Sequence, residues 1–137
     1  MVKPSVTADG KRLVFNRTRP QLDVCVSEFS AKGPRLNTPR RLTLDDADDL
    51  PFDWTLDNKA VLFTSNRTGT TNIFRQRMGE TSAEMLVFGP EEKSPCRLNP
   101  DGTQILYLVP TNPSDNNSQP VQPDASAYQW GNAADRA

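Results

Sequence analysis

Residues Leu42 to Phe63 recur 44 positions downstream without a gap, and a chain that repeats itself at that interval has few folds open to it. Leu42-Thr43 corresponds to Leu86-Val87, Pro51 to Pro95, Asp57-Asn58 to Asp101-Gly102 and Phe63 to Tyr107. An upstream copy lies at a spacing of 48, where Pro4, Val6, Asp9-Gly10 and Phe15 line up with Pro51, Trp54, Asp57-Asn58 and Phe63. Repeats of this length, with short apolar runs and turn residues at fixed offsets, are single supersecondary units. Each cannot bury its apolar faces alone and is stabilised by stacking on its neighbours.

The middle copy reads most clearly. Leu50 to Thr55 alternates around Phe52 and Trp54, Leu56-Asp57-Asn58-Lys59 supplies a hairpin turn, and Ala60-Val61-Leu62-Phe63 is continuously apolar. That continuous run, like Leu13-Val14-Phe15 and Ile105-Leu106-Tyr107, predicts a strand covered on both faces. Arg67-Thr68-Gly69-Thr70 reads as a loop, Asn72 to Arg77 as a third strand and Glu84 to Phe88 as a fourth, ended by Gly89-Pro90. Four strands per period make a propeller blade. The first copy has the same order, with Val24-Cys25-Val26 and Arg41-Leu42-Thr43 as strands three and four and an enlarged loop over Ser30 to Thr38. The third copy holds strands one and two and ends at Val109-Pro110.

The predicted fold class is therefore all-β: a partial propeller of about two and a half four-stranded antiparallel blades in a domain spanning 1–110. The blades fall near 3–44 and 48–90, with a half blade at 93–110. The predicted core between blades is Val14, Phe15, Trp54, Leu62, Phe63, Leu98 and Leu106. From Thr111 onward the chain is turn-rich without an apolar face, so 111–137 is predicted to be a disordered or out-of-register tail. A frameshift near Val121 would account for a tail that does not resume the repeat.

Composition narrows the chemistry. Sixteen basic and 17 acidic residues leave a formal charge of −1, which supplies no bulk field for nucleic acid or an anionic membrane, so neither is an expected partner. No apolar run of about 18 residues is present, and the chain as written reads as cytoplasmic, or periplasmic if it derives from a secreted parent. Histidine is absent, which removes the bases of Ser-His-Asp and Cys-His catalysis and the usual zinc motifs. Cys25 and Cys96 are too far apart for a CxxC pair; they align with Phe74 and Phe52, so two semi-buried thiols are expected, with a disulfide between them the other possibility. No catalytic group, cofactor or metal set is expected.

The motifs Arg41-Leu42-Thr43, then Pro51-x-x-Trp54-x-x-Asp57, then Ala60 to Arg67-x-Gly69 and Asn72-Ile73-Phe74, resemble the TolB-type, WD-like propeller repeat. The first copy carries Asp9-Gly10-Lys11, Phe15, Arg19 and Asp23-Val24 of that pattern, and the last carries Pro95 and Pro100-Asp101-Gly102, so the resemblance covers about residues 3 to 110. It implies several settings: TolB-like proteins, propellers of prolyl-oligopeptidase-like peptidases, and C-terminal propellers of bacterial sensory kinases and winged-helix regulators. The wording of the middle copy looks most like the last group. One fold hosts all of these roles, so the resemblance speaks to architecture first.

Several residues are candidates for more than packing. Asp45, Asp46, Asp48 and Asp49 form an acidic cluster that could hold calcium, although the default is a solvated loop. Arg17, Arg19, Arg75 and Arg77 could contact phosphate, against a default of strand-edge charge. Trp54 could be a ligand platform, but Val6 and Leu98 at the same repeat position favour packing between blades. Asn16-Arg17-Thr18 is a glycosylation sequon of little weight in a bacterial-looking chain. The expected function is a non-enzymatic protein-interaction module that binds a protein partner or further blades. Alternatives are an accessory propeller of a prolyl-oligopeptidase-like peptidase and a short-chain ligand-binding propeller closed by self-association.

Overall fold

The structure, a computed structural model, describes residues 4–18, 21–109 and 128–133. It is all-β and antiparallel throughout, in three sheets. The first holds β1 (Ser5–Val6), β2 (Arg12–Thr18), β3 (Leu22–Glu28) and β4 (Arg40–Arg41) in chain order. The second holds β5 (Asp49–Trp54), β6 (Ala60–Ser65), β7 (Asn72–Arg77) and β8 (Glu84–Val87), again in chain order. The third runs β9 (Ser94–Leu98), β10 (Gln104–Leu108), β11 (Tyr128–Asn132).

One turn, built three times, opens each sheet. In the middle sheet the Thr55 hydroxyl donates to Asp57 Oδ1 at 2.6 Å and accepts from the Ala60 amide at 3.0 Å, while Asp57 Oδ1 also accepts from the Lys59 amide at 3.0 Å. Thr7, Asp9, Lys11 and Arg12 repeat this set of bonds at 2.6, 3.0 and 3.0 Å. In the third sheet Asn99 replaces the threonine: its Oδ1 accepts the Gln104 amide at 2.8 Å, and Asp101 Oδ1 accepts the Thr103 amide at 2.9 Å. The residue after each aspartate has a positive φ: 69° at Gly10, 58° at Asn58 and 75° at Gly102. Glycine and asparagine are the residues that enter that region at least cost, which explains the Asp-Gly and Asp-Asn pairs of the repeat.

Two apolar seams join the sheets. Val14, Val24, Val26 and Leu42 of the first sheet and its exit pack against Trp54, Val61, Phe63 and Phe74 of the second, where the Phe63 and Phe74 rings stack with centroids 6.0 Å apart. Leu62, Ile73 and Val87, on the opposite face of the second sheet, pack against Leu98, Ile105, Tyr107 and Ala133. All six residues of β6 are buried, and the middle sheet is the one that contributes to both seams.

That distinction corrects the predicted core. Val14, Trp54, Leu62, Phe63 and Leu98 are buried as expected, but Phe15 and Leu106 are only half-buried. Their strands alternate rather than being covered twice: Phe15 points away from the second sheet on one side, Leu106 on the other, and Ile105 and Tyr107 fill the seam instead. Two of the three continuous apolar runs lie in end sheets, which pack against another sheet on one face only.

The predicted half blade and out-of-register tail also need correction. Residues 128–132 form β11 and pair along the whole of β10, from Gln104 opposite Asn132 to Leu108 opposite Tyr128. The third sheet thus gains a third strand where two were expected. Gly131 fits because a Cβ there would lie 2.5 Å from Val87 and 3.1 Å from the Tyr107 ring. The repeat was lost to view because 109–127 separates β10 from β11, where 66–71 separates β6 from β7. Residues 110–127 lie outside the described residues.

Since Phe63 is fully buried and Phe15 holds the same repeat position with one side bare, their truncations should differ. Phe63→Ala should cost about 3–5 kcal/mol and Phe15→Ala markedly less. Urea unfolding of the two variants checks this, and equal losses would contradict the seam assignment.

Candidate functional site

The innermost strands β1, β5 and β9 lie side by side, β1 against β5 and β5 against β9, each paired on one edge only. Their free edges border a groove of about 1040 Å³. Pro51, Phe52 and Leu98 give it apolar walls, while Asp53, Glu92, Arg97 and Asn99 supply charge of both signs and amide groups. Trp54 borders it but is only 4% exposed. The indole N–H donates to the Ser5 carbonyl at 3.3 Å, and the Arg12 guanidinium lies 5.4 Å from the ring centroid. Trp54 is therefore a packing residue between sheets.

The acidic cluster is a clamp on the linker between the first two sheets. Asp48 Oδ1 accepts the Leu22 amide at 3.0 Å, and the Asp48 amide donates to Asn66 Oδ1 at 2.9 Å, so one residue ties both sheets. The Gln21 amide donates to the Asp45 carbonyl. Asp45 and Asp49 turn inward to Arg67, whose Nη2 lies 2.9 Å from Asp45 Oδ2 and 3.1 Å from Asp49 Oδ1. Arg67 also donates from Nε to the Ser65 hydroxyl at 2.9 Å, and its guanidinium lies 4.7 Å from the Phe74 centroid and 5.3 Å from that of Phe63. Arg67 thus stands where a bound cation would, while Asp46 faces solvent. Asp49 itself is fully buried, which a solvated loop does not describe. Burial pushes its carboxyl above the ordinary 3.8, against the pull of the Ser65 and Thr43 hydroxyls and Arg67.

Of the predicted arginine patch, the structure describes the side chains of Arg75 and Arg77. Arg75 is buried, ion-paired to Glu84, and donates from Nη1 to the Ala133 carbonyl at 3.4 Å. Arg77 is half-buried at the end of the same strand. Arg19 and the side chains of Arg17 and Cys96 lie outside the described residues, while Cys25 is buried beside Phe15 and Arg41 in the first sheet. Asn16 is half-buried within β2, opposite Val24. Lys93 was not singled out from the sequence. It is 3% exposed, and its Nζ donates to Asn72 Oδ1 at 3.0 Å, to the Glu91 carbonyl at 2.7 Å and to the Gly89 carbonyl at 3.3 Å. Burial lowers its pKa, and Glu91 and Glu92 oppose the shift. Its cue was positional: Lys93 is the repeat equivalent of Asp49.

The fold has close counterparts. TolB from Acinetobacter baumannii superposes with a TM-score of 0.67 at 27% identity, over 82% of this chain and 27% of its own. A putative TolB from Agrobacterium tumefaciens gives 0.63 at 21% identity, over 79% of this chain and 39% of its own. A puromycin-hydrolyzing peptidase from Mycobacterium tuberculosis gives 0.65 at 19%, over 78% of this chain and 18% of its own. The three sheets are consecutive blades of a β-propeller. The likeness is TolB-like in particular, and the chain spans about a quarter of the length of the first of these structures. No family model and no curated protein matches the chain.

Titration should expose two opposed sets of carboxyls. The Thr7 hydroxyl and Lys11 amide lower Asp9, and Thr103 lowers Asp101. At Asp57 burial pushes upward, but Thr55 and the Lys59 amide outweigh it. These three contribute stability that is present above the ordinary 3.8 and lost as pH falls through their lowered values. Asp49 has the reverse sign, because between 3.8 and its raised value the folded state takes up the proton more readily. Arg67→Met, which leaves Asp49 buried without its counter-charge, should cost about 3–5 kcal/mol at neutral pH. The loss should shrink as pH is lowered and Asp49 takes up a proton, and Asp49→Asn in the same background should remove that pH dependence. Urea unfolding at neutral and at lower pH measures both effects.

Proposed function

We propose that the chain is a non-enzymatic interaction module, whose groove along β1, β5 and β9 receives an extended segment of a protein partner. The observation that carries this reading is the groove itself. It offers strand edges paired on one side only, which can hydrogen-bond an extended main chain, beside apolar walls and charges of both signs that can select side chains. Its polar groups serve recognition better than covalent chemistry. Asp53 accepts its neighbour's amide at 2.9 Å, Glu92 accepts the Thr71 hydroxyl at 2.8 Å, and the chain has no histidine to act as a base.

Likeness to a puromycin-hydrolyzing peptidase supports a second reading, an accessory propeller beside a catalytic domain encoded elsewhere. In that case the groove would admit a substrate rather than hold a partner.

Selection of peptides from a random display library against the 137-residue chain separates the readings, with affinities then measured by calorimetry. Peptides should be retained, and Arg97→Glu, a change at an exposed groove residue, should weaken them at least tenfold. Failure to enrich any peptide, or affinities indifferent to Arg97→Glu, would remove the groove as the binding surface. Peptide, ester or phosphate hydrolysis that follows the folded protein through repurification would remove the non-enzymatic assignment.

A further inference from the structure

The linker that carries the chain from the outermost strand of one sheet to the innermost strand of the next begins the same way twice. After Leu42-Thr43 in one copy and Leu86-Val87 in the other, with Thr43 and Val87 both buried, comes a large apolar residue: Leu44 in the first linker, Phe88 in the second, 44 positions apart. Leu44 is 65% exposed and Phe88 68%, the highest values for large hydrophobic side chains among the described residues. A single exposed apolar residue is ordinary and means little. Here the repeat sets the same kind of side chain at the same place in successive blades and packs neither. Phe88 leaves the second sheet, which has the first sheet on one face and the third on the other. The stacking of blades is therefore complete around Phe88 and still leaves it exposed, so its exposure is set by neighbours that are present.

The charge around these two side chains has one sign. From Leu44 to Asp48 and from Phe88 to Glu92 the chain carries Asp45, Asp46, Asp48, Glu91 and Glu92 and no basic residue. All but Asp45 are exposed. The cations nearby are turned inward or already paired: Arg67 with Asp45 and Asp49, Lys93 with Asn72 and two backbone carbonyls, Arg41 with Asp23. Asp48 and Glu92 accept bonds from the Leu22 amide and the Thr71 hydroxyl, but a carboxylate has lone pairs for further donors. We propose that the two linkers form a second docking surface, and that its occupant is a cationic amphipathic segment of a protein partner, with large apolar side chains on Leu44 and Phe88 and Lys or Arg among the carboxylates. The same acids would repel an anionic lipid surface. Packed sheets stand about 10 Å apart and two turns of α-helix advance about 11 Å, so one face of a short helix can meet both linkers. Leu44 and Phe88 do not line the groove, which shares only Glu92 with the acidic set, so this surface does not depend on the groove reading.

Fluorescence anisotropy with a labelled leucine–lysine peptide, its leucines on one helical face, tests the proposal on the 137-residue chain, with a leucine–glutamate peptide of the same pattern as control. The lysine peptide should bind and the glutamate peptide should not, and added salt should weaken the complex. Leu44→Ser and Phe88→Ser should each weaken it about tenfold or more, as should Asp46→Asn combined with Glu91→Gln, whereas Phe88→Leu should keep most of the affinity. All these residues are exposed, so each variant should retain the circular dichroism spectrum and urea midpoint of the parent. No binding of the lysine peptide, equal binding of both peptides, or an affinity indifferent to both serine variants would overturn the proposal. So would unfolding of the serine variants, which would assign the two side chains to the fold, or capture of the chain by phosphatidylglycerol vesicles in place of the peptide. Arg97→Glu, in the groove, should not weaken this complex. If it does, and the serine variants do not, the peptide belongs to the groove and this second surface is lost while the groove reading stands.

Discussion

A sheet whose central strand is apolar on both faces must be covered twice, and every other feature of this chain is arranged around that requirement. In the middle sheet it is met: Val61 and Phe63 point into one seam and Leu62 into the other. At about 1.5–3 kcal/mol for each fully buried aliphatic or aromatic side chain, the two seams are the main favourable contribution to the fold. The end sheets meet the requirement on one side only, because a linear run of blades always leaves a first and a last face. The groups that would hold a neighbouring blade are the groups that stabilise the blades already present.

Polar groups set the order in which the apolar faces meet. Asn58 Oδ1, in the turn of the second sheet, accepts the Ala8 amide of the first at 3.2 Å, and Gln76 Nε2, buried on β7, donates to the Leu42 carbonyl at 2.9 Å. The Asp45–Asp49 linker is fastened to Gln21 and Leu22 on one sheet and to Asn66 and Arg67 on the other. Apolar burial has little directionality, so a hydrophobic face alone would permit sliding. Hydrogen bonds to fixed backbone groups at both ends of the seam permit one register.

The blades were legible in the sequence because their grammar is local. Thr or Asn, then Asp, then Gly or Asn specifies a turn through bonds within a few residues, and the apolar run that follows specifies a strand. What was not legible depends on neighbours that a local pattern does not name. Leu13-Val14-Phe15 and Ala60-Val61-Leu62-Phe63 look alike as strings, yet one strand has a sheet on each side and the other does not. Strand β11 was hidden for a different reason: a long connection separates it from β10, and once the phase of a repeat is lost, Tyr128-Gln129-Trp130-Gly131-Asn132 has no marker of its own. The acidic cluster was visible, but its partner was not, because Arg67 is close to Asp45 and Asp49 in space and far from them in the chain.

Asp49 and Lys93 show how far the repeat constrains chemistry. They occupy the same position, at the entry to the innermost strand of successive blades, and both are almost wholly buried, yet they carry opposite charge. Each polar group finds partners between Ser65 and Asn72 of the second sheet and in the linker behind it. Asp49 does so as an acceptor, drawing Arg67 in from the loop, and Lys93 as a donor, reaching Asn72 and the carbonyls of Gly89 and Glu91. Either sign works because each comes with its own complement: a guanidinium lying over two phenylalanine rings in one case, neutral oxygens in the other. Exchanging Asp49 for lysine would set a cation beside Arg67, and exchanging Lys93 for aspartate would set a carboxylate among carbonyl oxygens. The repeat therefore fixes where a buried polar group must stand, while the groups around it fix its charge, and copies that are equivalent in backbone are not interchangeable in side chain.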